Sequence, residues 1–229
     1  MAEQFEVLNT EAHGSLRMHA NTGGYPHFVM IVMNEFPAAA AVCPIFFAKD
    51  ATTGEFYAAA MFGFRQGELL VEGADKGDAA FRPLDLQRQG FFISDEHIAI
   101  DPTHPRFGEG ASIALFEQDG HPSEAMRQMQ RTIGQLKAGA DSTRDFIREL
   151  LRLKLIEPID IGLRFDDGEK LQLDGLYTIS RDALADLDDA DVLALFRKGY
   201  LQAAYCVVLS LNQVGVLARR RNERLAAKL

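Results

Sequence analysis

An α+β fold is predicted, with an N-terminal antiparallel β-rich lobe packed with a C-terminal helical lobe that contains a β-hairpin. Three observations carry it. Short apolar runs separated by turn residues fill the first half. A seam of apolar residues at alternating steps of three and four runs from Met126 to Leu150. A hairpin signal and capped helices then occupy Leu155 to Leu229. The alternation expected of a doubly wound parallel sheet is absent, and neither an internal repeat nor a low-complexity linker interrupts the 229 residues. One compact unit is therefore expected, β-rich to about residue 121 and helical after it.

Residues 1–25 mix polar side chains with Gly23-Gly24 and read as an irregular arm, followed by a short strand at Phe28 to Val32. Val42 to Lys49 and Phe56 to Phe64 are apolar runs joined by Asp50-Ala51-Thr52-Thr53-Gly54, which is hairpin chemistry. Gly63 and Gly67 flank Phe64 and mark a bulge or a close backbone approach. Leu69 to Val71, Phe91 to Ser94 and His97 to Asp101 complete an antiparallel sheet, with Ser94-Asp95-Glu96 as a tight link. A loop from Pro102 to Gly110 leads to Ile113 to Phe116 and the turn Glu117-Gln118-Asp119-Gly120.

Ser123 caps a long helix that runs to about Leu153. Its seam is Met126, Met129, Ile133, Leu136, Ala140, Thr143, Ile147 and Leu150. Gly134 and Gly139 each weaken it by about 1 kcal/mol relative to alanine, so they mark a kink or a close helix approach. The seam pairs either with the final helix of the same chain, the preferred reading, or with its copy in a homodimer.

Pro158 disfavours helix at Glu157, so extended chain follows. Ile159, Ile161, Leu163 and Phe165 alternate with polar residues, Asp166-Asp167-Gly168 supplies a turn, and Leu171, Leu173 and Gly175 alternate again. This is a hairpin with one buried face. Ser180 caps a helix carrying Leu184 and Leu187, Asp188 or Asp189 caps the next, and Gly199 ends it. From Tyr200 to about Ala218, Leu201, Ala204, Tyr205, Val208, Leu211 and Leu217 recur near helical spacing, predicting a largely buried final helix.

The formal charge of −9 argues against a nucleic-acid binder. Only the C-terminus is locally basic. There Arg219, Arg220, Arg221, Arg224 and Lys228 oppose the negative end of a helix dipole, or else form a docking patch for an acidic partner. Met1-Ala2-Glu3-Gln4-Phe5-Glu6 lacks the basic and apolar regions of a secretory signal, and the most apolar windows are broken by Asn34, Glu35 and Pro37 or by Gln202, Asn212 and Gln213. A soluble cytoplasmic protein without membrane insertion is expected, with Cys43 and Cys206 as buried free thiols.

These elements and motifs resemble the SapC family of bacterial proteins over nearly the whole chain. The resemblance is carried by Phe36-Pro37, by Cys43-Pro44-Ile45-Phe46-Phe47-Ala48-Lys49-Asp50 and by Gly67-Glu68-Leu69-Leu70 within Gly63 to Leu70. It continues through Ile100-Asp101 with Pro105-Arg106, Leu115-Phe116 with Asp119-Gly120, and Leu155-Ile156-Glu157-Pro158. Asp174-Gly175-Leu176-Tyr177-Thr178-Ile179 and the run at Leu209-Ser210-Leu211 complete it. The chain departs from the pattern at Cys43, where the family tends to place an aromatic, and at Gln87-Arg88-Gln89-Gly90, where it tends to place a basic-aromatic-proline run. The resemblance implies a single SapC-like domain over residues 1–229. The family is named for a bacterial surface-array locus, and its genes tend to lie near outer-membrane receptors and halogenase-like and cupin-like proteins. The implied role is a non-enzymatic accessory protein of a nutrient or carbohydrate uptake system, acting through an unidentified protein partner.

No cofactor fingerprint is present: a phosphate loop, dinucleotide motif and nucleophile elbow are all missing. The best metal candidate is His97, Asp101 and His104, since His97 and Asp101 share a face on an extended chain and the turn at Pro102-Thr103 could swing His104 back. Two histidines and a carboxylate suit ferrous iron and an oxygenase-like enzyme, against the simpler reading of a polar surface strand. A surface-layer component is a further alternative. His13, His19 and His27 read as loop residues, Asp166-Asp167-Gly168-Glu169 as a turn rather than a calcium loop, and Ser210 as a helix residue bonded back toward Cys206. Adjacent phenylalanines such as Phe46-Phe47 point to opposite sheet faces. Either the chain covers both faces, or Phe47, Phe64 and Phe91 form a recognition surface.

Overall fold

The computed structural model describes residues 5–20, 26–74, 80–94 and 97–227. The expected features at residues 1–4, at Gly23-Gly24, at Asp95-Glu96 and at Lys228 lie outside them. In chain order the elements begin with β1 (Glu6–Val7), α1 (Thr10–His13), β2 (Arg17–Met18), β3 (Phe28–Met30), α2 (Phe36–Ala40), β4 (Ile45–Lys49) and β5 (Phe56–Met61). They continue with α3 (Leu84–Gln87), β6 (Phe91–Ser94), β7 (His97–Ile100), β8 (Ile113–Ala114) and the long α4 (Glu124–Arg152). The last third holds β9 (Ile156–Arg164), β10 (Lys170–Ile179), α5 (Arg181–Ala185), α6 (Asp189–Arg197), α7 (Tyr200–Ser210) and α8 (Asn212–Ala226). Antiparallel sheets and helices together make an α+β fold.

The chain forms two compact units, each assembled from two separated stretches. The first comprises Met1–Gly24 and Arg82–Ala138, the second Tyr25–Phe81 and Gly139–Leu229. Helix α4 therefore contributes its first half to one unit and its second half to the other. In the first unit, the sheet β1-β7-β6 and the pair β2-β8 frame a core of Met18, Phe91, Ile100 and Leu115 with Met126, Met129 and Ile133 of α4. Ser123 starts that helix, its Oγ accepting from the Met126 N–H at 3.2 Å and donating to the Ala114 carbonyl at 2.7 Å. One side chain thus caps the helix and ties it to β8.

The second unit is built on an antiparallel sheet in the order β3-β5-β4-β10-β9. Ile45, Phe46 and Phe47 of β4 are all fully buried, so both faces of this strand are covered within the chain. Each such side chain contributes about 1.5–3 kcal/mol of burial. Phe146 of α4 sits among Phe36, Phe47 and Tyr200, with ring centroids 6.0, 6.3 and 5.3 Å away. Helix α7 packs on α2, β4 and β10 through the small residues Ala203, Ala204, Val207 and Ser210. Its Ser210 Oγ accepts from the Ile45 N–H at 2.9 Å and donates to the Val207 carbonyl at 2.6 Å, a back-bond one residue from the one expected at Cys206.

The hairpin and caps follow their local chemistry. β9 and β10 pair from Lys170↔Arg164 outward, and the register shifts between Leu173 and Leu176, where Gly175 adopts a φ of 74°. That is a bulge at the glycine, which accepts the left-handed conformation without steric cost. The face carrying Ile161, Leu163, Leu171 and Leu173 is half-buried rather than buried. Ser180 accepts from the Ala183 N–H and Asp188 from the Asp191 N–H, so α5 and α6 are capped as expected, and Gly199 at φ 74° closes α6.

Several expectations are corrected. Leu69 to Val71 forms no strand, because the Leu69 and Leu70 carbonyls accept from Arg224 and Arg220 of α8 instead of a neighbouring strand. The strands of the first half do not share one sheet: β3, β4 and β5 join β10, whereas β6 and β7 join β1. The final helix divides at Leu211 into α7 and α8 and is not largely buried, since Tyr205 and Leu209 face outward. Ala140 of the expected seam is exposed and Leu136 half-buried, while Phe146, outside the expected spacing, is fully buried. Gly139 is a close approach rather than a kink, for a Cβ there would lie 2.6 Å from Val32 Cγ2.

Candidate functional site

The three residues proposed as metal ligands do not converge. His97 opens β7, is exposed and pairs with Ser94, while Asp101 follows the strand's far end. Four residues of extended chain separate their Cα atoms by roughly 13 Å, so sharing a face does not make a shared site. Asp101 is committed to its own turn, its Oδ1 accepting from the Thr103 N–H at 2.9 Å and hydroxyl at 2.6 Å. Those bonds hold its carboxyl below the usual range. His104 Nδ1 accepts from the Arg106 N–H at 3.1 Å, capping the short turn Pro105–Phe107, and burial depresses its basicity. Among the described residues, no three His, Cys, Asp or Glu side chains are grouped to hold a metal ion.

The aromatic recognition surface is likewise replaced by core. Phe47, Phe64 and Phe91 are buried, against Phe146, Phe165 and Phe107 respectively. Each faces a ring from elsewhere in its own unit, which is why none reaches solvent.

Several buried polar groups serve the backbone. Arg106 donates to the Gln87 and Gln89 carbonyls at 2.6 and 3.0 Å, and burial together with the nearby Arg82 lowers its pKa to about 10. Thr143 Oγ1 donates to the Gly139 carbonyl and accepts from the Met33 N–H. Burial pushes the Cys43 thiol up to about 12, and its Sγ donates to the Ala39 carbonyl. Cys206 is also raised by burial. Neither is poised as a nucleophile.

Three of the basic residues near the C-terminus are bound within the fold. Arg221 Nη2 lies 2.7 Å from Glu169 and Nε 3.4 Å from Glu68, with the guanidinium 4.0 Å from the Phe165 ring centroid. Arg220 and Arg224 hold the carbonyls of Leu70 and Leu69. Arg220, Arg221 and Arg224 thus fasten α8 to the hairpin turn and to the segment after Phe64, while Arg219 is exposed and Lys228 lies outside the described residues.

Two clefts remain. One of about 490 Å³ in the first unit is lined by Glu6, His13, Arg17 and Phe107, with His13 Nε2 3.2 Å from Glu6. The other, about 290 Å³ in the second unit, is apolar around Met30, Phe56 and Ile147, with Arg144 at its edge paired to Asp141. Burial and the Asp50 charge raise the Tyr57 phenol there.

The feature that sequence reasoning missed is a set of exposed large apolar side chains on α6 and on α7. Phe196 is 68% exposed and Leu209 62%, with Leu193 and Tyr205 also open to solvent. Large apolar side chains left this far out of the core mark a contact surface when they cluster. On α6, Leu195 faces the core, while Asp191 and Lys198 pair with Arg152 and Glu149 of α4. What remains exposed is the opposite arc: Asp189, Ala190, Leu193, Phe196 and Arg197. The available signal was the three-residue step from Leu193 to Phe196 between charged neighbours. Tyr200–Ala226 is also long and apolar enough, by length and composition alone, to cross a membrane, contrary to the expectation that no segment would be; 28% of its most apolar window is buried.

The SapC family profile matches residues 8–217. No curated protein matches the chain, and no solved structure does.

Proposed function

The chain belongs to the SapC family, and we propose that it works as a non-enzymatic accessory protein that binds other protein. The observation that carries this reading is the set of exposed large apolar side chains on α6 and on α7. It is supported by the engagement of buried polar side chains with backbone groups and structural ion pairs, as at Ser210, Thr143, Arg106 and Arg221. The cytoplasm is the compartment this reading assigns, and the family's gene neighbourhood points to nutrient or carbohydrate uptake as the process served.

Affinity capture from the native host tests it, with the unaltered chain and a Leu193→Asp/Phe196→Asp variant in parallel. A protein recovered in stoichiometric amount with the first and lost with the second is the expected result. Metal analysis of protein purified without a histidine tag is the counter-test. Stoichiometric iron that disappears in a His97→Ala variant would overturn the reading in favour of an oxygenase-like enzyme.

A further inference from the structure

We propose that the exposed arc of α6 is the centre of a two-fold interface between two copies of this chain, an inference that rests on the binding role proposed above and names its first partner. The sequence along the arc is self-complementary about Leu193. Asp189 and Arg197 stand four residues to either side of it, and Ala190 and Phe196 three residues to either side. Two α6 helices crossing antiparallel on a dyad at Leu193 set leucine on leucine. Each Phe196 ring then lies over the partner's smallest side chain, and each Asp189 carboxylate meets a guanidinium. Around the central leucine pair, opposite charge meets opposite charge and large meets small, which is the complementarity an isologous interface requires.

The spacing supports the same geometry. Asp189 to Arg197 spans about 12 Å of helix, the length over which two helices touch at one crossing. All five positions fall within about 120° of the helix circumference. One crossing is smaller than the roughly 800 Å² per partner of a stable complex. Tyr205 and Leu209, exposed on α7, are the further apolar side chains available to such an interface. An anionic bilayer is the poorer occupant, since the arc carries a carboxylate, Asp186 and Asp188 are exposed just before it, and the whole chain has a formal charge of −9.

Sedimentation equilibrium of the full chain tests the proposal. The unaltered protein should show twice the 25.4 kDa chain mass. Asp189→Arg alone and Arg197→Asp alone should each weaken self-association about a hundredfold or more, because like charges then face each other at both ends of the crossing. An equimolar mixture of these two variants should recover the dimer, since one arc is then wholly cationic and the other wholly anionic. Circular dichroism melts confirm that both variants fold. A monomeric unaltered chain, or single variants that remain dimeric, would overturn the inference. So would an unaltered chain that stays monomeric and floats with phosphatidylglycerol vesicles. A monomer that still captures another protein sinks only this inference, whereas a dimer that captures none counts only against the accessory role.

Discussion

Alanine placed at Gly134 and at Gly139 should have opposite consequences, although both glycines lie within one continuous helix. Each substitution gains about 1 kcal/mol of helix propensity. At Gly134 nothing lies within 4 Å of the new Cβ, so the gain is kept. At Gly139 the new Cβ would lie 2.6 Å from Val32 Cγ2, 2.8 Å from Val32 Cβ and 3.1 Å from Asn34 Oδ1. Val32 is buried and cannot swing away, and the helix cannot back off without breaking the bonds from Thr143 Oγ1 to the Gly139 carbonyl and from the Met33 N–H to Thr143. Overpacking of this kind costs about 1–3 kcal/mol. Since the propensity gain is common to both, the difference between the two variants isolates the overpacking: about 1–3 kcal/mol, or roughly 2–12 °C in melting temperature for a chain of this size. Thermal melts by circular dichroism and urea titrations read it directly. A Gly139→Ala variant as stable as Gly134→Ala would refute the close approach of α4 to Val32.

Substitutions at Arg221, Ser210 and Cys43, with Arg219→Ala as a control, test the way the second unit is held together. Arg221→Ala should destabilise by about 1–3 kcal/mol in urea titration, because Glu68 loses its cation, Glu169 is left with Arg65 alone and Phe165 is uncovered, whereas the exposed Arg219→Ala should change stability by less than about 0.5 kcal/mol. Ser210→Ala should cost about 1–3 kcal/mol, since the buried Ile45 N–H loses its acceptor; Ser210→Thr, which keeps a hydroxyl, should cost less if the added methyl fits. Cys43 makes stability fall with alkali. The folded thiol titrates near 12 and the unfolded one near 9, so the unfolded state releases its proton first and stability declines as pH rises through that window. The slope attributable to it is about 1.4 kcal/mol per pH unit, and it should vanish in Cys43→Ala when urea midpoints are compared across the window.

What could be read in advance was local. The caps at Ser123, Ser180 and Asp188 and the hairpin turn at Asp166-Asp167-Gly168 each depend on side chains and backbone within a few residues, and each was legible. Pairing over long separations was not. Phe47 of β4 lies opposite Tyr177 of β10, and nothing near Phe47 in the chain names that partner. The seam of α4 was legible as a face, but 3.6-residue periodicity does not say that Met129 packs in one unit and Ile147 in the other. Phe36-Pro37 opens α2 with proline in the first turn, a position proline favours, whereas the sequence offers Pro37 only as a break in an apolar window. At the candidate sites the limits were those of extended chain and of composition. His97 and Asp101 alternate correctly but sit a strand apart, and the step from Leu193 to Phe196 marks one helix face without saying whether that face meets core or water.

Binding through the α6 face is tested most directly by photo-crosslinking in the native host, with benzoylphenylalanine replacing Phe196 in one chain and Arg148, on the exposed face of α4, in another. Polypeptide adducts that form from position 196 and not from position 148 are the predicted result. Lipid adducts from position 196, or no difference between the two positions, would contradict it.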